Sequence, residues 1–87
     1  MPFEFDPVKS AINKEKHGID FIEAQAIWAD DKAFRADIRF EDEDRFCAVG
    51  QVDGKLWTAV CTMRGNTVRI ISVRRSRQDE RDIYESQ

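Results

Sequence analysis

The hydrophobic pattern of the chain changes its period once, near residue 33. Ahead of that point apolar residues recur three and four positions apart, as at Val8, Ala11 and Ile12. Beyond it, apolar and polar residues alternate over residues 34–41. A helix repeats every ~3.6 residues and a half-buried strand every ~2 residues. The sequence therefore predicts helices followed by strands, an α+β fold in a single domain spanning residues 1–87.

The first helix is predicted to begin after Asp6 and to end before Gly18. Asp6 is a favourable N-cap, and Pro7 at the first helical position loses nothing by lacking an N–H group. A cationic last turn followed by glycine is typical of a helix C-terminus. The helical spacing places an apolar stripe on one side and polar residues on another, namely Val8, Ala11 and Ile12 against Lys9, Asn13 and Lys16 or His17.

A short edge strand at residues 3–5 and a second helix from residue 20 to about residue 30 complete the first half of the predicted fold. Asp20 and Glu23 stand at the spacing of a capping box, which predicts a helix N-terminus there. Because a tight turn separates this helix from the first, the two are expected to form a helical hairpin.

Four strands and a terminal helix are predicted for the second half. Asp53-Gly54 is a strong hairpin signal because both central positions of such a turn favour positive φ. The acidic run at residues 41–44 makes the first turn of the meander, Asp53-Gly54 the second, and residues 64–66 the third. Ser76 is the predicted N-cap of a last helix that runs to about residue 85. The strands of this antiparallel meander are placed at residues 33–40, 45–52, 55–63 and 67–75.

Charge is unevenly distributed along the 87 residues, whose formal net charge is −3. Residues 1–44 hold six cationic and twelve anionic side chains, whereas residues 45–87 hold eight and five. Seven of the eight later cations are arginines, whose planar fork matches phosphate in two-point contact. The pattern favours a local anion site and excludes a uniformly basic protein that coats nucleic acid. The alternative is a solvated terminal helix in which these arginines pair with neighbouring carboxylates.

Several classes of protein are excluded by composition. No uninterrupted apolar run approaches the ~20 residues of a membrane span, and the N-terminus lacks a secretory signal pattern. Cys47 and Cys61 lie inside apolar runs, which favours buried, reduced thiols in the cytoplasm over a disulfide framework. One histidine and two separated cysteines argue against a structural zinc site. No metal or other cofactor is expected.

Individual polar residues beside the core are the candidates for chemistry. Arg69 lies mid-strand and must reach solvent, a ligand or a carboxylate, with Asp37 or Glu41 as the expected partner of a structural ion pair. His17 is the single histidine of the chain, a residue type that often transfers protons, although a helix C-terminus also favours it for structural reasons. Strict alternation on the last strand places Val68, Ile70, Ser72 and Arg74 on one face, with Arg69, Ile71, Val73 and Arg75 on the other.

Three segments, taken together, resemble the BrnT family of toxins. Residues 3–9 and 13–24 are similar to its N-terminal signature, and residues 45–50 to its second meander strand. Residues 69–75, followed by Glu80-Arg81 and Tyr84-Glu85, are similar to its C-terminal signature. The resemblance covers nearly the whole chain, with the motifs in the right order and spacing.

The resemblance implies a RelE-like fold and a ribonuclease that inhibits translation as the toxin of a type II toxin–antitoxin pair. It also implies a BrnA-like antitoxin with a ribbon–helix–helix domain, which neutralises the toxin and contacts operator DNA for the complex. A hetero-tetramer with the antitoxin is expected, and a homodimer is the alternative state of the free chain. No membrane partner is expected.

The mechanism expected from this resemblance is cleavage of RNA without metal, by attack of a 2′-hydroxyl group on the neighbouring phosphate. Such chemistry needs a base, an acid and cations around phosphorus. The predicted catalytic residues are Arg64, Arg69 and Arg74 for the phosphate, with His17 first and Glu43 second for proton transfer. Lys16, Arg45 and Arg75 are the predicted substrate contacts.

Two other functions remain open from the sequence alone. In the first, the chain is a non-catalytic module whose arginines hold an acidic partner protein, or a co-regulator of its operon that acts only in complex with a DNA-binding partner. A small DNA-binding regulator is the third hypothesis, because the predicted helical hairpin is similar to a helix–turn–helix. The acidic balance of the chain argues against entry of that hairpin into a DNA groove.

Overall fold

The computed structural model describes residues 2–40 and 43–87, with the backbone alone described at residues 39, 40 and 43. Its centre is a five-stranded sheet with the strand order β1-β5-β4-β3-β2. Two α-helices and one 3-10 helix accompany the sheet. In chain order the elements are β1 (Phe3–Glu4), α1 (Pro7–His17), the 3-10 helix (Glu23–Ala29), β2 (Phe34–Phe40), β3 (Glu43–Val52), β4 (Lys55–Arg64), β5 (Thr67–Arg75) and α2 (Gln78–Glu85).

The predicted antiparallel meander is confirmed for β2 to β5. Asp53 and Gly54 both have positive φ, 50° and 79°, as the turn between β3 and β4 requires. Two details differ from the prediction. β3 begins at Glu43 rather than residue 45, and β1 adds a parallel edge to β5, which makes the sheet mixed. Part of the acidic run, residues 41 and 42, lies outside the described residues.

The second predicted helix is a 3-10 helix and not an α-helix. Its start has the predicted capping geometry: the Asp20 carboxylate accepts from the Glu23 N–H at 2.7 Å, and the Glu23 carboxylate accepts from the Asp20 N–H at 3.0 Å. The segment then packs closely on the sheet at Gly50, where an added Cβ atom would lie 3.0 Å from a methyl carbon of Ile27. Contact this close depends on the absence of a side chain at residue 50.

The two sides of the sheet have different covers. The inner face packs against residues 19–28 and forms the hydrophobic core. The outer face carries α2, whose Glu80 accepts a hydrogen bond from Thr58 on β4. Inner-face residues of the core include Phe46, Ala48, Trp57, Ala59, Cys61, Val68, Ile70 and Val73. Because α2 is short, it covers only part of the outer face.

A β-bulge in β5 reverses the predicted alternation after Ile70. Cys61 pairs with Ile70, but the preceding residue Val60 pairs with Ser72, so that Ile71 is the extra residue. The prediction that Ser72 and Arg74 share a face with Ile70 is therefore wrong. Arg69 and Arg74, which strict alternation separates, both lie on the outer face.

Helix α1 turns its apolar stripe away from the protein. Val8 and Ile12 are 66% and 55% exposed, whereas Ser10 and Asn13 are buried. Asn13 pairs with the open edge of β5 beyond β1: its amide nitrogen donates to the Val73 carbonyl at 3.0 Å, and its amide oxygen accepts from the Val73 N–H at 3.2 Å. Amphipathic surface helices usually bury their apolar side. Helix α1 is instead anchored to the sheet by polar contacts.

The last helix begins one residue later than predicted. Its N-cap is Arg77, whose N–H donates to the Glu80 carboxylate at 2.7 Å. The Ser76 hydroxyl lies 2.8 Å from the Thr58 hydroxyl, so Ser76 links β5 to β4 and does not cap α2. Within residues 2–40 and 43–87, no helix has the length and apolar character needed to cross a membrane.

Candidate functional site

The covered half of the outer face contains a tight arginine–carboxylate pair. Arg74 donates to Glu80 through both terminal nitrogens, at 2.8 and 2.9 Å. Glu80 also accepts from the Thr58 hydroxyl at 2.9 Å. The hydrogen bonds from Arg74, helped by those from the Arg77 N–H and Thr58, lower the pKa of Glu80 to about 2. Glu80 is therefore ionised at neutral pH, and its carboxylate holds Arg74 in place.

The other half of the outer face opens into a hollow of about 440 Å³. Four of its seven lining residues are cationic, and none of the seven is a carboxylate. The bulge contributes directly, because Ile71 lines the hollow beside Arg69. The complete lining is Lys9, Arg45, Thr62, Met63, Arg64, Arg69 and Ile71. We call this the basic hollow.

Three strands and one helix bring these cations together. On β4, Thr62 pairs directly with Arg69 of β5. Arg45 of β3 comes immediately before Phe46, which pairs with Cys61, the neighbour of Thr62. Arg64 follows at the end of β4, and Lys9 enters from the first turn of α1. A concentration of guanidinium groups in one open site can hold a phosphate at two points.

One carboxylate borders the basic hollow without lining it. Glu4 on β1 accepts from Arg69 at 2.7 Å and lies 3.7 Å from the Nε atom of Arg64, both through Oε2. Within the described residues, Oε1 of Glu4 accepts no hydrogen bond. Glu4 therefore holds Arg69 by a hydrogen bond, and the same oxygen forms a longer ion pair with Arg64.

Glu4 was missed by sequence reasoning, which proposed Asp37 or Glu41 as the partner of Arg69. The proposal of Asp37 is wrong, since this carboxylate accepts from Arg35 at 3.1 Å, and Glu41 lies outside the described residues. The parallel pairing of β1 with β5 sets Glu4 directly beside Arg69. No local pattern indicates that pairing, because β1 is only two residues long.

The family model described as ribonuclease toxin, BrnT, of type II toxin–antitoxin system matches residues 5–80. The match spans most of the chain and all seven residues that line the basic hollow. The chain belongs to the BrnT family. The predicted resemblance is confirmed, and with it membership of a family of ribonuclease toxins from type II toxin–antitoxin systems, which implies a protein antitoxin as partner. No curated protein has a significantly similar sequence.

Several residues predicted to serve this BrnT chain lie outside the basic hollow. His17 ends α1 and is exposed, as is Lys16. His17 stands eight positions after Lys9, which corresponds to about 12 Å along the helix axis. Arg74 belongs to the pair with Glu80. Arg75 lies on the inner side of the sheet, with its guanidinium carbon 5.3 Å from the centre of the Trp57 ring.

The predicted proton-transfer residue Glu43 begins β3, two residues before Arg45. Its side chain lies outside the part of the chain that the structure describes. Arg45 is half-buried and lines the hollow. Of the residues predicted for the site, Arg45, Arg64 and Arg69 are thus brought together by the fold, and Lys9 joins them without having been predicted.

The cysteines of this BrnT chain are free and buried, as the sequence predicted. Burial raises the pKa of Cys47, and burial followed by the neighbouring Cys47 raises the pKa of Cys61 to about 12. A thiol held in the protonated state is a poor nucleophile and a poor metal ligand. Among the described residues, no group of histidine, cysteine and carboxylate side chains is arranged to hold a metal.

Proposed function

We propose that this toxin is an endoribonuclease that cleaves RNA without a metal ion and so inhibits translation. The observation that supports the proposal is the basic hollow, which four cationic side chains line on a chain of net charge −3. Affinity for a polyanion comes largely from phosphate neutralisation. A cationic site on an acidic protein confines this affinity to one place.

In the proposed reaction a ribose 2′-oxygen attacks the adjacent phosphorus as its proton passes to a base. The bond from phosphorus to the 5′-oxygen breaks, and the leaving oxygen takes a proton. The products are a 2′,3′-cyclic phosphate and a 5′-hydroxyl end. Arg64 and Arg69 are assigned to the scissile phosphate because Glu4 holds both guanidinium groups near one point. Charge builds up on the phosphate oxygens, where fixed donors contribute most.

Lys9 and Arg45 are assigned to the neighbouring phosphates of the same strand. Successive phosphates of a nucleic-acid strand need several cations along one path, and the hollow offers them from α1 on one side and β3 on the other. For proton transfer, Glu43 and His17 stay as proposals. Along the chain, Glu43 lies two positions before Arg45, which lines the hollow. His17 is the last residue of α1, at the end of the helix away from Lys9.

The proposal is tested with purified toxin, free of antitoxin, and a synthetic RNA in the presence of a metal chelator. Cleavage that leaves 2′,3′-cyclic phosphate ends, and that stops when the scissile nucleotide carries a 2′-deoxyribose, supports it. Cleavage that needs added Mg²⁺, or that proceeds at the 2′-deoxy position, would contradict it.

We further propose that the antitoxin is a BrnA-like ribbon–helix–helix protein that forms a cytoplasmic hetero-tetramer with the toxin and contacts operator DNA. Membership of the BrnT family supports a protein antitoxin. The acidic balance of the toxin supports a division of labour in which the antitoxin carries the DNA contacts. Size-exclusion chromatography with light scattering on the co-expressed pair measures the stoichiometry.

A non-catalytic alternative is favoured by one observation, the pairing of Arg69 and Arg74 with carboxylates of the same chain. In that case the arginines serve the fold and an acidic partner protein, and no RNA is cut. Absence of growth arrest when the chain is expressed, together with absence of RNA cleavage by the purified chain, would support this alternative.

A further inference from the structure

The outward side of α1 carries three exposed apolar side chains, bordered by the exposed carboxylate Glu15, and the described part of the chain leaves them uncovered. Val8 is 66% exposed, Ile12 is 55% exposed, and Ala11 between them is also exposed. Residues spaced by three and four positions lie on one side of a helix. We call Val8, Ala11 and Ile12 the α1 stripe.

The fold itself does not need the α1 stripe. The buried side of the helix is polar and is fully employed: Ser10 accepts from the Phe21 N–H at 2.9 Å, and Asn13 bonds to Ile19 and Val73. Single exposed apolar residues are common on protein surfaces, but a stripe of them opposite a buried polar side is the reverse of ordinary helix patterning. Such an arrangement is expected where another molecule covers the helix.

The α1 stripe is continuous with the basic hollow. Around the helix axis, Lys9 and Lys16 follow Ile12 on the side that leads towards the sheet, because each residue advances by about 100°. Lys9 also lines the hollow. An occupant of the stripe therefore meets a row of lysines and then the arginines of the hollow.

We propose that the α1 stripe is a docking surface for an acidic amphipathic segment of the antitoxin. The apolar side of that segment covers Val8 and Ile12, and its carboxylates reach Lys9 and the basic hollow. The account of how the segment neutralises the toxin rests on the proposed function, because a carboxylate in the hollow would then occupy the place of an RNA phosphate. The partner itself is implied by membership of the family.

The test compares two matched substitutions on exposed helical isoleucines. Ile12→Asp changes the α1 stripe, and Ile83→Asp changes α2, where Ile83 is 52% exposed. The probe is the proposed BrnA-like antitoxin, purified and titrated into each purified toxin by calorimetry. Thermal unfolding of both variants provides the check on folding, and we expect Tm values close to that of the unsubstituted toxin.

The inference predicts that Ile12→Asp weakens binding by about 100-fold or more, since it buries an unpaired charge against an apolar side chain. Ile83→Asp should bind within about threefold of the unsubstituted toxin. Equal binding by both variants would overturn the inference. A toxin dimer that dissociates on the Ile12→Asp substitution would also overturn it, because the stripe would then mediate self-association.

A second measurement separates this inference from the proposed function. Lys9→Ala should weaken antitoxin binding and reduce the dependence of that binding on salt. The control is Lys14→Ala, which removes a lysine on another side of α1 that pairs with Glu23 of the 3-10 helix, and it should leave both properties unchanged. Binding is read without RNA, so a toxin that fails to cleave RNA would defeat the proposed function and leave this result standing. Unaltered salt dependence in Lys9→Ala would overturn the path from the stripe to the hollow.

Discussion

Glu4 and Arg69 are direct neighbours across the parallel pair of β1 and β5, and their side chains meet at 2.7 Å. The same Glu4 oxygen lies 3.7 Å from Arg64. Glu4 thus anchors Arg69 at the rim of the basic hollow and draws Arg64 towards the same place by charge. Its partial exposure, 37% against 32% for Arg69, leaves the pair accessible to solvent and to a ligand.

Replacement of Glu4 by glutamine is therefore expected to affect cleavage more than stability. A pair this exposed contributes about 1 kcal/mol or less to the free energy of unfolding. Loss of the anchor should lower kcat for RNA cleavage by roughly 10- to 100-fold, because small misplacements of catalytic groups are costly. KM should not rise, since the variant removes an anion from the site. Glu15→Gln, on the exposed side of α1, is the matched control, and equal kcat values in the two variants would refute the role of Glu4.

Arg74 is expected to act mainly through stability. Arg74→Ala leaves Glu80 without its two-point partner in a poorly exposed place, and we expect the free energy of unfolding to fall by about 2 kcal/mol. Lys14→Ala breaks the exposed pair with Glu23 and should cost about 0.5 kcal/mol or less. Chemical denaturation measures both values. A similar small cost in the two variants would show that the Arg74 pair does not stabilise the fold.

The low pKa of Glu80 predicts a specific pH dependence. Its ordinary value is 4.5, and the folded value is about 2 because Arg74 favours the carboxylate. The stabilisation is therefore fully present above pH 4.5 and is lost as the pH falls towards 2. Glu80→Gln should be less stable at neutral pH by on the order of 3 kcal/mol or less, and its deficit should shrink between pH 5 and pH 2. A deficit that does not change with pH would contradict this assignment.

Asn13 is expected to be the most sensitive residue of α1. Asn13→Leu removes three hydrogen bonds to the backbone of Ile19 and Val73 and leaves buried polar groups without partners. We expect a loss of about 3 kcal/mol in the free energy of unfolding. Glu15→Leu introduces the same side chain on the exposed side of the helix and should change it by about 0.5 kcal/mol or less. Equal unfolding midpoints would show that Asn13 does not secure the edge of β5.

The strands and turns of this fold could be predicted because their signals are local. Alternation in β2 and the Asp53-Gly54 turn depend on neighbouring residues alone, as does the capping of α1 by Asp6. The hydrogen bonds of helix caps and tight turns join residues two or three positions apart, so the local residue types determine whether they form.

The parts that sequence reasoning missed depend on distant residues. Asn13 and Val73 are 60 positions apart, and Glu4 and Arg69 are 65 positions apart. The bulge at Ile71 is a change of register between two strands, which alternation within one strand does not show. The bulge brings Ile71 to the basic hollow and places Arg74 on the same face as Arg69, although strict alternation assigns the two arginines to opposite faces.

The orientation of α1 also escaped the sequence, for a related physical reason. An apolar stripe at helical spacing usually marks the buried side, but here tertiary hydrogen bonds made by Ser10 and Asn13 determine which side is buried. The reversed stripe is then available for a partner. The most informative departures from the sequence pattern thus lie at the two surfaces assigned here to function.

The most direct test of the basic hollow compares two arginines of β5 in RNA cleavage. Arg69→Ala removes a lining residue, and Arg75→Ala removes an arginine on the opposite side of the same strand. Both purified variants are assayed free of antitoxin, on one RNA and with a metal chelator. We expect Arg69→Ala to lose about 100- to 1000-fold in rate and Arg75→Ala to stay within about threefold of the unsubstituted toxin. Equal rates in the two variants would contradict the assignment of cleavage to the basic hollow.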